Sequence, residues 1–94
     1  MKVPQLTYFF NKIRQDNHIT PSHISLYMAL LERWNQNRFH NPVLFYRSEI
    51  MTMAKMNGIA TYHKCMKDLN NLGYLAYYPS HNPLLPSEVR FITD

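Results

Sequence analysis

The chain contains only two glycines, Gly58 and Gly73, and their placement constrains the fold more than any other feature of the sequence. Glycine adopts left-handed backbone conformations most readily, so it marks sharp turns and helix ends. Between the two glycines, apolar residues recur at helical spacing: Tyr62, Met66, Leu69 and Leu72, flanked by Cys65. This pattern predicts a helix over Ile59–Leu72, preceded by a turn at Asn57-Gly58 and ended by Gly73.

Two more helices are predicted upstream. The first, Leu6–Asp16, has an apolar stripe formed by Leu6, Phe9, Phe10 and Ile13. Thr20 suits a helix N-cap and Pro21 the first helical position, so a second helix is predicted from Pro21 to about Asn37. Its apolar face consists of Ile24, Tyr27, Met28, Leu31 and Trp34. Leu30 widens that face, which indicates a helix packed on more than one side.

Short strands and one short helix complete the predicted order. The apolar run Val43–Tyr46 predicts a strand. Ser48 is the expected N-cap of a helix that ends near Met56, with Glu49 near its positive end and Ile50, Met53 and Ala54 on its inner side. After Gly73, the pattern predicts a hairpin of strands Leu75–Tyr78 and Glu88–Thr93, joined by a loop over Pro79–Pro86. The predicted order is helix, helix, strand, helix, turn, helix, hairpin.

Composition restricts the class of protein. Ninety-four residues with 46% hydrophobic and 17% charged side chains predict a single domain over 1–94, with 1–18 as an N-terminal helical extension. No apolar run is long enough to span a membrane, and the N-terminus lacks a signal-peptide pattern. The single cysteine excludes an internal disulfide framework and fits a reducing cytoplasm. The net charge of +4 is a mild bias toward polyanions.

The titratable residues do not form a pattern typical of a catalytic or metal site. The five histidines are not grouped as metal ligands, and His63 and Cys65 diverge on a helix. Cys65 lies beside the predicted core stripe, without a positioned base. Glu49 and Asp68 have simpler predicted roles, as a helix-start charge and an exposed helix carboxylate. We therefore expect no enzyme activity, no metal and no cofactor.

The most informative segment is Arg47–Ser80, where two helices joined by a tight turn precede a hairpin; the whole unit of helices and hairpin is predicted over 47–94. That order predicts a winged helix-turn-helix whose second helix enters the DNA major groove. If its apolar stripe faces inward, the side chains that point outward or to the flanks are Ile59, Thr61, His63, Lys64 and Lys67. Thr61, His63 and Lys64 are predicted to contact base edges or groups near them, and Arg47, Lys55, Asn57 and Lys67 to contact the DNA backbone. His81 and Asn82 in the loop are predicted to contact the minor groove or phosphates. The stretch from Ile50 to Lys67 holds three lysines and no acid.

Two sequence patterns carry a family resemblance. The helix beginning Ile59-Ala60-Thr61 and the ending Leu69-Asn70-Asn71-Leu72-Gly73-Tyr74-Leu75 resemble the winged helix-turn-helix domains of bacterial transcription regulators. The run HITPSHISLYMALLERWNQNRF, with the later TYHKC and YYPSHNP segments, is similar to small helix-turn-helix proteins of Bacteroidetes mobile elements. The resemblance covers nearly the whole chain. It implies a mainly α fold with a small antiparallel β wing and an additional N-terminal helix.

The expected function is sequence-specific binding of double-stranded DNA, in transcriptional regulation or as an accessory protein of a mobile element. A homodimer in the cytoplasm, associated with the nucleoid, is expected, with the first helix and Ile24–Trp34 as its contact surface. Each predicted contact residue, taken singly, also fits an ordinary solvent-exposed position, and the 79–86 loop also fits a plain connector. Two alternatives remain open. One is a protein-interaction module with Ile59 in an apolar contact patch, and the other is the DNA-binding part of a replication or recombination assembly with a larger protein partner.

Overall fold

The computed structural model describes residues 3–92. In this range the chain forms four helices and a three-stranded antiparallel sheet, and about half of the protein is helical. The elements are α1 (Val3–Ile13), α2 (Pro21–Gln36), β1 (Val43–Phe45), α3 (Arg47–Met53), α4 (Ile59–Asn71), β2 (Leu75–Tyr78) and β3 (Ser87–Phe91). This is the order that the sequence predicts.

Helix α2 is the central element of the core. Thr20 is its N-cap and Pro21 its first residue, as predicted. His23 takes the place of the Glu or Gln of a capping box, because its Nδ1 accepts a hydrogen bond of 2.9 Å from the Thr20 backbone N–H. Packing on more than one side is confirmed, since the buried residues of α2 point in several directions: His23, Leu26, Tyr27, Ala29, Leu30, Leu31 and Trp34.

The sheet has the order β1-β3-β2, so the last strand lies in the middle. Val89 of β3 is opposite Val43 on one side and Tyr77 on the other. Alternate residues along β3 are buried, which is the period of two expected for a sheet with one face on the core. Phe91 at the end of β3 stacks on Trp34, with ring centroids 4.5 Å apart. The sheet is thereby joined to α2.

Helix α1 packs on its own chain. Phe9 is fully buried and stacks on Tyr27, with ring centroids 3.8 Å apart and planes 2° from parallel. The helix begins at Val3 and ends at Ile13, whereas the sequence predicts Leu6–Asp16; the chain turns after Ile13. The sequence predicts Phe10 in the apolar stripe, but it is 40% exposed, whereas Phe9 is buried and Leu6 and Ile13 pack against the core.

Helix α3 differs most from its prediction. It begins at Arg47 after an extended Tyr46, and the first intrahelical bond runs from the Ile50 N–H to the Tyr46 carbonyl. Tyr46 is therefore the N-cap, and the prediction of Ser48 in that role is wrong. The helix ends at Met53, three residues before Met56. Other boundaries shift by one or two residues, and Thr93, in the predicted last strand, lies outside the described residues.

Candidate nucleic-acid interface

The orientation of α4 agrees with the predicted helical phase. Tyr62, Cys65, Met66 and Leu69 are buried, and they anchor the helix on α2 and the sheet. The side chains predicted to contact DNA from this helix are all exposed: Ile59, Thr61, His63, Lys64 and Lys67. Cys65 is buried in the core, and this burial raises the pKa of its thiol. One face of α4 is therefore available to a partner along its whole length.

The turn between α3 and α4 is made by Ala54 and Lys55 rather than by the glycine. Lys55 adopts a left-handed conformation with φ 61°. The Lys55 N–H bonds the Thr52 carbonyl at 3.2 Å and the Met56 N–H bonds the Met51 carbonyl at 2.9 Å, which is a Schellman ending. Gly58 has φ −96° and is the N-cap of α4. The predicted turn at Asn57-Gly58 is therefore wrong, since these residues lie in the extended approach to α4.

A groove of about 400 Å³ lies between this turn and the start of α2. We call it the turn groove; its lining includes Ser22, Lys55, Asn57, Gly58 and Thr61. The Ser25 hydroxyl donates to the Ala54 carbonyl and ties the turn to α2. The structure thus brings together three predicted backbone-contact or base-contact residues, Lys55, Asn57 and Thr61. Ser22 and Ser25 were not predicted as part of the site.

A second groove of about 400 Å³ lies between the starts of α3 and α4 and the β2–β3 loop. We call it the hairpin groove; its lining includes Arg47, Tyr62, His63, Tyr77, His81 and Asn82. Four predicted contact residues from three separate segments meet here. The Ser80 hydroxyl donates to the Asn82 carbonyl at 2.9 Å and accepts from its N–H at 3.2 Å, which orders the loop.

Asp68 joins α4 to α2, contrary to the prediction of a simple exposed carboxylate. Because the Thr20 N–H occupies His23 Nδ1, the proton lies on Nε2, which donates to Asp68 Oδ2 at 2.7 Å. Lys64 Nζ donates to the same oxygen at 2.9 Å. The hydrogen bond from Lys64 lowers the pKa of Asp68 most, and the bond from His23 lowers it further. In return, Asp68 raises the pKa of Lys64. Lys64 is therefore exposed but paired.

The acidic side chains near the two grooves are compensated. Glu49 pairs with Arg33 at 3.1 Å and Glu88 with Arg90 at 3.0 Å, as Asp68 does with Lys64. The remaining bases of residues 47–92 form no ion pair with any described residue: Arg47, Lys55 and Lys67. Three uncompensated positive charges thus surround the exposed face of α4.

The other features of the described chain add no chemistry to this surface. A larger cleft of about 540 Å³ lies beside the end of α2 and β1 and holds none of the predicted site residues. Among the described residues, no three His, Cys, Asp or Glu side chains are grouped as a metal site would require. No helix in residues 3–92 has both the length and the apolar character to cross a bilayer. Comparison of the chain with protein-family models, curated proteins and solved structures found no match.

Proposed function

We propose that this protein is a winged helix-turn-helix protein that binds double-stranded DNA, with α4 in the major groove. Three features support this proposal. Helices α3 and α4 are joined by a tight turn, a hairpin follows α4 directly, and β1 joins the hairpin in one sheet. A recognition helix needs one anchored face and one free face, and α4 has both.

The observation that carries the proposal is the position of the uncompensated charges. Arg47 lines the hairpin groove and Lys55 lines the turn groove. Lys67 lies on the exposed side of α4. Phosphates of a duplex flank a helix lying in the major groove, so cations on both sides of α4 suit the two DNA strands. Thr61 and His63 line the turn groove and the hairpin groove, at the two sides of α4, where their hydroxyl and imidazole groups can hydrogen-bond phosphates or the neighbouring base edges.

The proposed biological role is transcriptional regulation, or an accessory part in the movement of a genetic element. One small module contacts few base pairs, so a homodimer on two half-sites is proposed. Most of α2 between Ile24 and Trp34 is buried within the protomer, which reduces the proposed dimer surface to α1 and the half-buried Ile24 and Met28. Tyr8 and Phe10, 37% and 40% exposed, are the apolar side chains that α1 offers.

The test is a fluorescence-anisotropy titration of labelled duplex DNA over a series of salt concentrations. We expect affinity to fall steeply with salt, with a slope of log K against log salt of about −0.9 for each phosphate contacted. Lys67→Ala is expected to weaken binding severalfold and to reduce the slope by about one. Arg14→Ala is the matched control, since Arg14 is an exposed base near α1 that lies outside both grooves. Equal effects of the two variants, or no binding at low salt, would contradict the proposal.

A second candidate is a protein-interaction module, which exposed apolar side chains favour. Leu84 and Leu85 in the β2–β3 loop are 81% and 58% exposed, and Ile59 at the start of α4 is 48% exposed. Exposed apolar side chains of this size are typical of protein contacts when a partner covers them. Leu84→Ser distinguishes the two functions, because Leu84 is exposed but is not a predicted DNA contact. A protein-interaction module would lose its protein partner and would show no DNA affinity with or without the substitution, whereas a DNA-binding protein would keep its salt-dependent DNA affinity.

A further inference from the structure

We propose that the hairpin groove binds one unpaired nucleotide, a planar base with its phosphate, presented by a DNA strand or as a free mononucleotide. For a nucleotide presented by a DNA strand, the inference rests on the proposed function, because the groove adjoins the exposed face of α4. The groove is formed only in the folded chain, since its lining comes from the starts of α3 and α4, from β2 and from the loop that follows it.

The groove has the size and the aromatic lining for a nucleobase. Its volume of about 400 Å³ falls in the range of small-molecule sites, roughly 300–1,000 Å³. The rings of Tyr46 and Tyr77 both line it, the first 46% exposed and the second partly buried. Bases stack on aromatic side chains whatever their identity, provided that they are not already stacked in a duplex. An unpaired base meets that condition.

The groove also carries the charge that a nucleotide phosphate needs. Arg47 is a permanent cation with five N–H donors, and His63 and His81 add imidazole groups that can donate a hydrogen bond. None of the residues lining the groove is Asp or Glu. Arg47 takes part in no ion pair within residues 3–92, so its donors are available. Guanidinium binds phosphate oxygens through two parallel hydrogen bonds.

One buried hydroxyl is left without a partner, and this group points to a specific ligand rather than to a general charged surface. The Tyr62 side chain is 99% buried, and its hydroxyl makes no hydrogen bond with any described residue. Burial first, and then the charge and hydrogen-bonding approach of the Tyr77 phenol, raise the pKa of Tyr62, while Arg47 lowers it. The Tyr77 phenol therefore lies close to the Tyr62 hydroxyl without the geometry of a hydrogen bond, and both Tyr77 and Arg47 line the groove. Buried hydroxyls are nearly always satisfied. A base edge, with its ring nitrogen and carbonyl acceptors, offers acceptors of the kind that this hydroxyl lacks.

The test has two arms, one for each source of the nucleotide. In the first, deoxyadenosine monophosphate is titrated into the protein and amide chemical shifts are followed by NMR. In the second, anisotropy compares a short duplex with the same duplex carrying one extrahelical adenosine. We expect shifts confined to the groove residues in the first arm, or about tenfold tighter binding of the bulged duplex in the second. A positive first arm alone identifies the free mononucleotide as the source, and a positive second arm alone identifies the DNA strand.

Three variants make the result specific to the groove. Tyr62→Phe removes only the unpartnered hydroxyl, and we expect it to reduce nucleotide binding severalfold while affinity for the paired duplex is unchanged. Arg47→Gln is expected to weaken nucleotide binding as well. Tyr74→Phe is the control, because it removes a buried hydroxyl that bonds Asp16 at 2.8 Å outside the groove.

The outcomes separate this inference from the proposed function. Binding of the paired duplex with no gain from the bulge and no mononucleotide binding overturns the inference and leaves the proposed function intact. The inference is also overturned if the bulged duplex still binds more tightly than the paired duplex, by the same factor, in both Tyr62→Phe and Arg47→Gln. Mononucleotide binding that depends on Tyr62, without any duplex binding at low salt, upholds the groove and rejects the proposed function.

Discussion

Replacing Gly58 with serine tests the geometry of the turn that places α4. Gly58 has φ −96° and ψ 122°, a conformation open to any L-residue. A Cβ built there meets Thr61 Oγ1 at 3.5 Å and Thr61 Cβ at 3.9 Å, which are ordinary contacts. The position is the N-cap of α4, where no side chain now caps the helix. Serine supplies that cap without steric cost.

The expected gain follows from two terms. Exchanging glycine for serine at an N-cap contributes a few tenths of a kcal/mol, and removing a glycine from the unfolded chain contributes about 0.4–1 kcal/mol. Gly58→Ser is therefore expected to raise the free energy of unfolding by about 1 kcal/mol, or the Tm by about 4–8 °C. Urea denaturation followed by circular dichroism measures the change.

Two companion variants show whether each change in the free energy of unfolding comes from the backbone conformation at the substituted position. Gly73 has φ +83°, and a Cβ there meets nothing nearer than Lys12 Nζ at 4.0 Å, so Gly73→Ala is expected to cost about 1–2 kcal/mol through the backbone alone. Lys55→Gly is expected to stabilise the protein, because it relieves the left-handed conformation of a non-glycine residue. If Gly58→Ser destabilises the protein as Gly73→Ala does, then Gly58 is the left-handed residue of the turn and the geometry described above is wrong.

Three further predictions follow from the contacts of Phe9, Asp16 and Asp68. Phe9→Ala is expected to cost about 3–4 kcal/mol in a denaturant titration, because the ring is fully buried and stacked on Tyr27. The His18 N–H and the Tyr74 hydroxyl lower the pKa of Asp16. The ionised Asp16 therefore stabilises the fold at pH values above the ordinary carboxyl pKa, and this stabilisation is lost as the pH falls through the lowered pKa of the folded state. Asp16→Asn is expected to make the free energy of unfolding fall less steeply with acid in a series of denaturant titrations. Asp68→Asn is expected to cost about 1 kcal/mol and, by releasing Lys64, to tighten DNA binding severalfold, which an anisotropy titration and a parallel melt would measure.

Local sequence patterns were sufficient to predict most of the fold. The start of α2 follows from Thr20 and Pro21, whose preferences act within one turn of helix. The β2 strand and the end of α4 follow from Gly73, where the backbone is indeed left-handed. The inward residues of α4 follow from their spacing alone. Such features depend on residues within a few positions, so a single sequence specifies them.

The turn and the grooves depend on contacts that are distant in the sequence. Lys55 is held in a left-handed conformation while Ser25, thirty positions earlier, bonds the preceding carbonyl, and no local preference of lysine indicates this. Asp68 is paired with His23, which is 45 residues away. The hairpin groove likewise needs Arg47 and His81 to be brought together by the sheet. Residue type and spacing predicted several of these side chains as DNA contacts, but they could not predict which of these side chains line the same groove.

Net charge alone gives a misleading measure of the surface around α4. Residues 47–94 carry five bases and four acids, a net charge of only +1. The described acids of this half, Glu49, Asp68 and Glu88, are each held within 3.1 Å of a base, and Glu49 draws its partner from α2. Pairing therefore neutralises these acids locally and leaves Arg47, Lys55 and Lys67 as the bases of this half that form no ion pair within residues 3–92. In physiological salt a polyanion responds mainly to charges within about a Debye length, roughly 8–10 Å. The three unpaired bases therefore favour DNA binding more strongly than the net charge of residues 47–94 indicates.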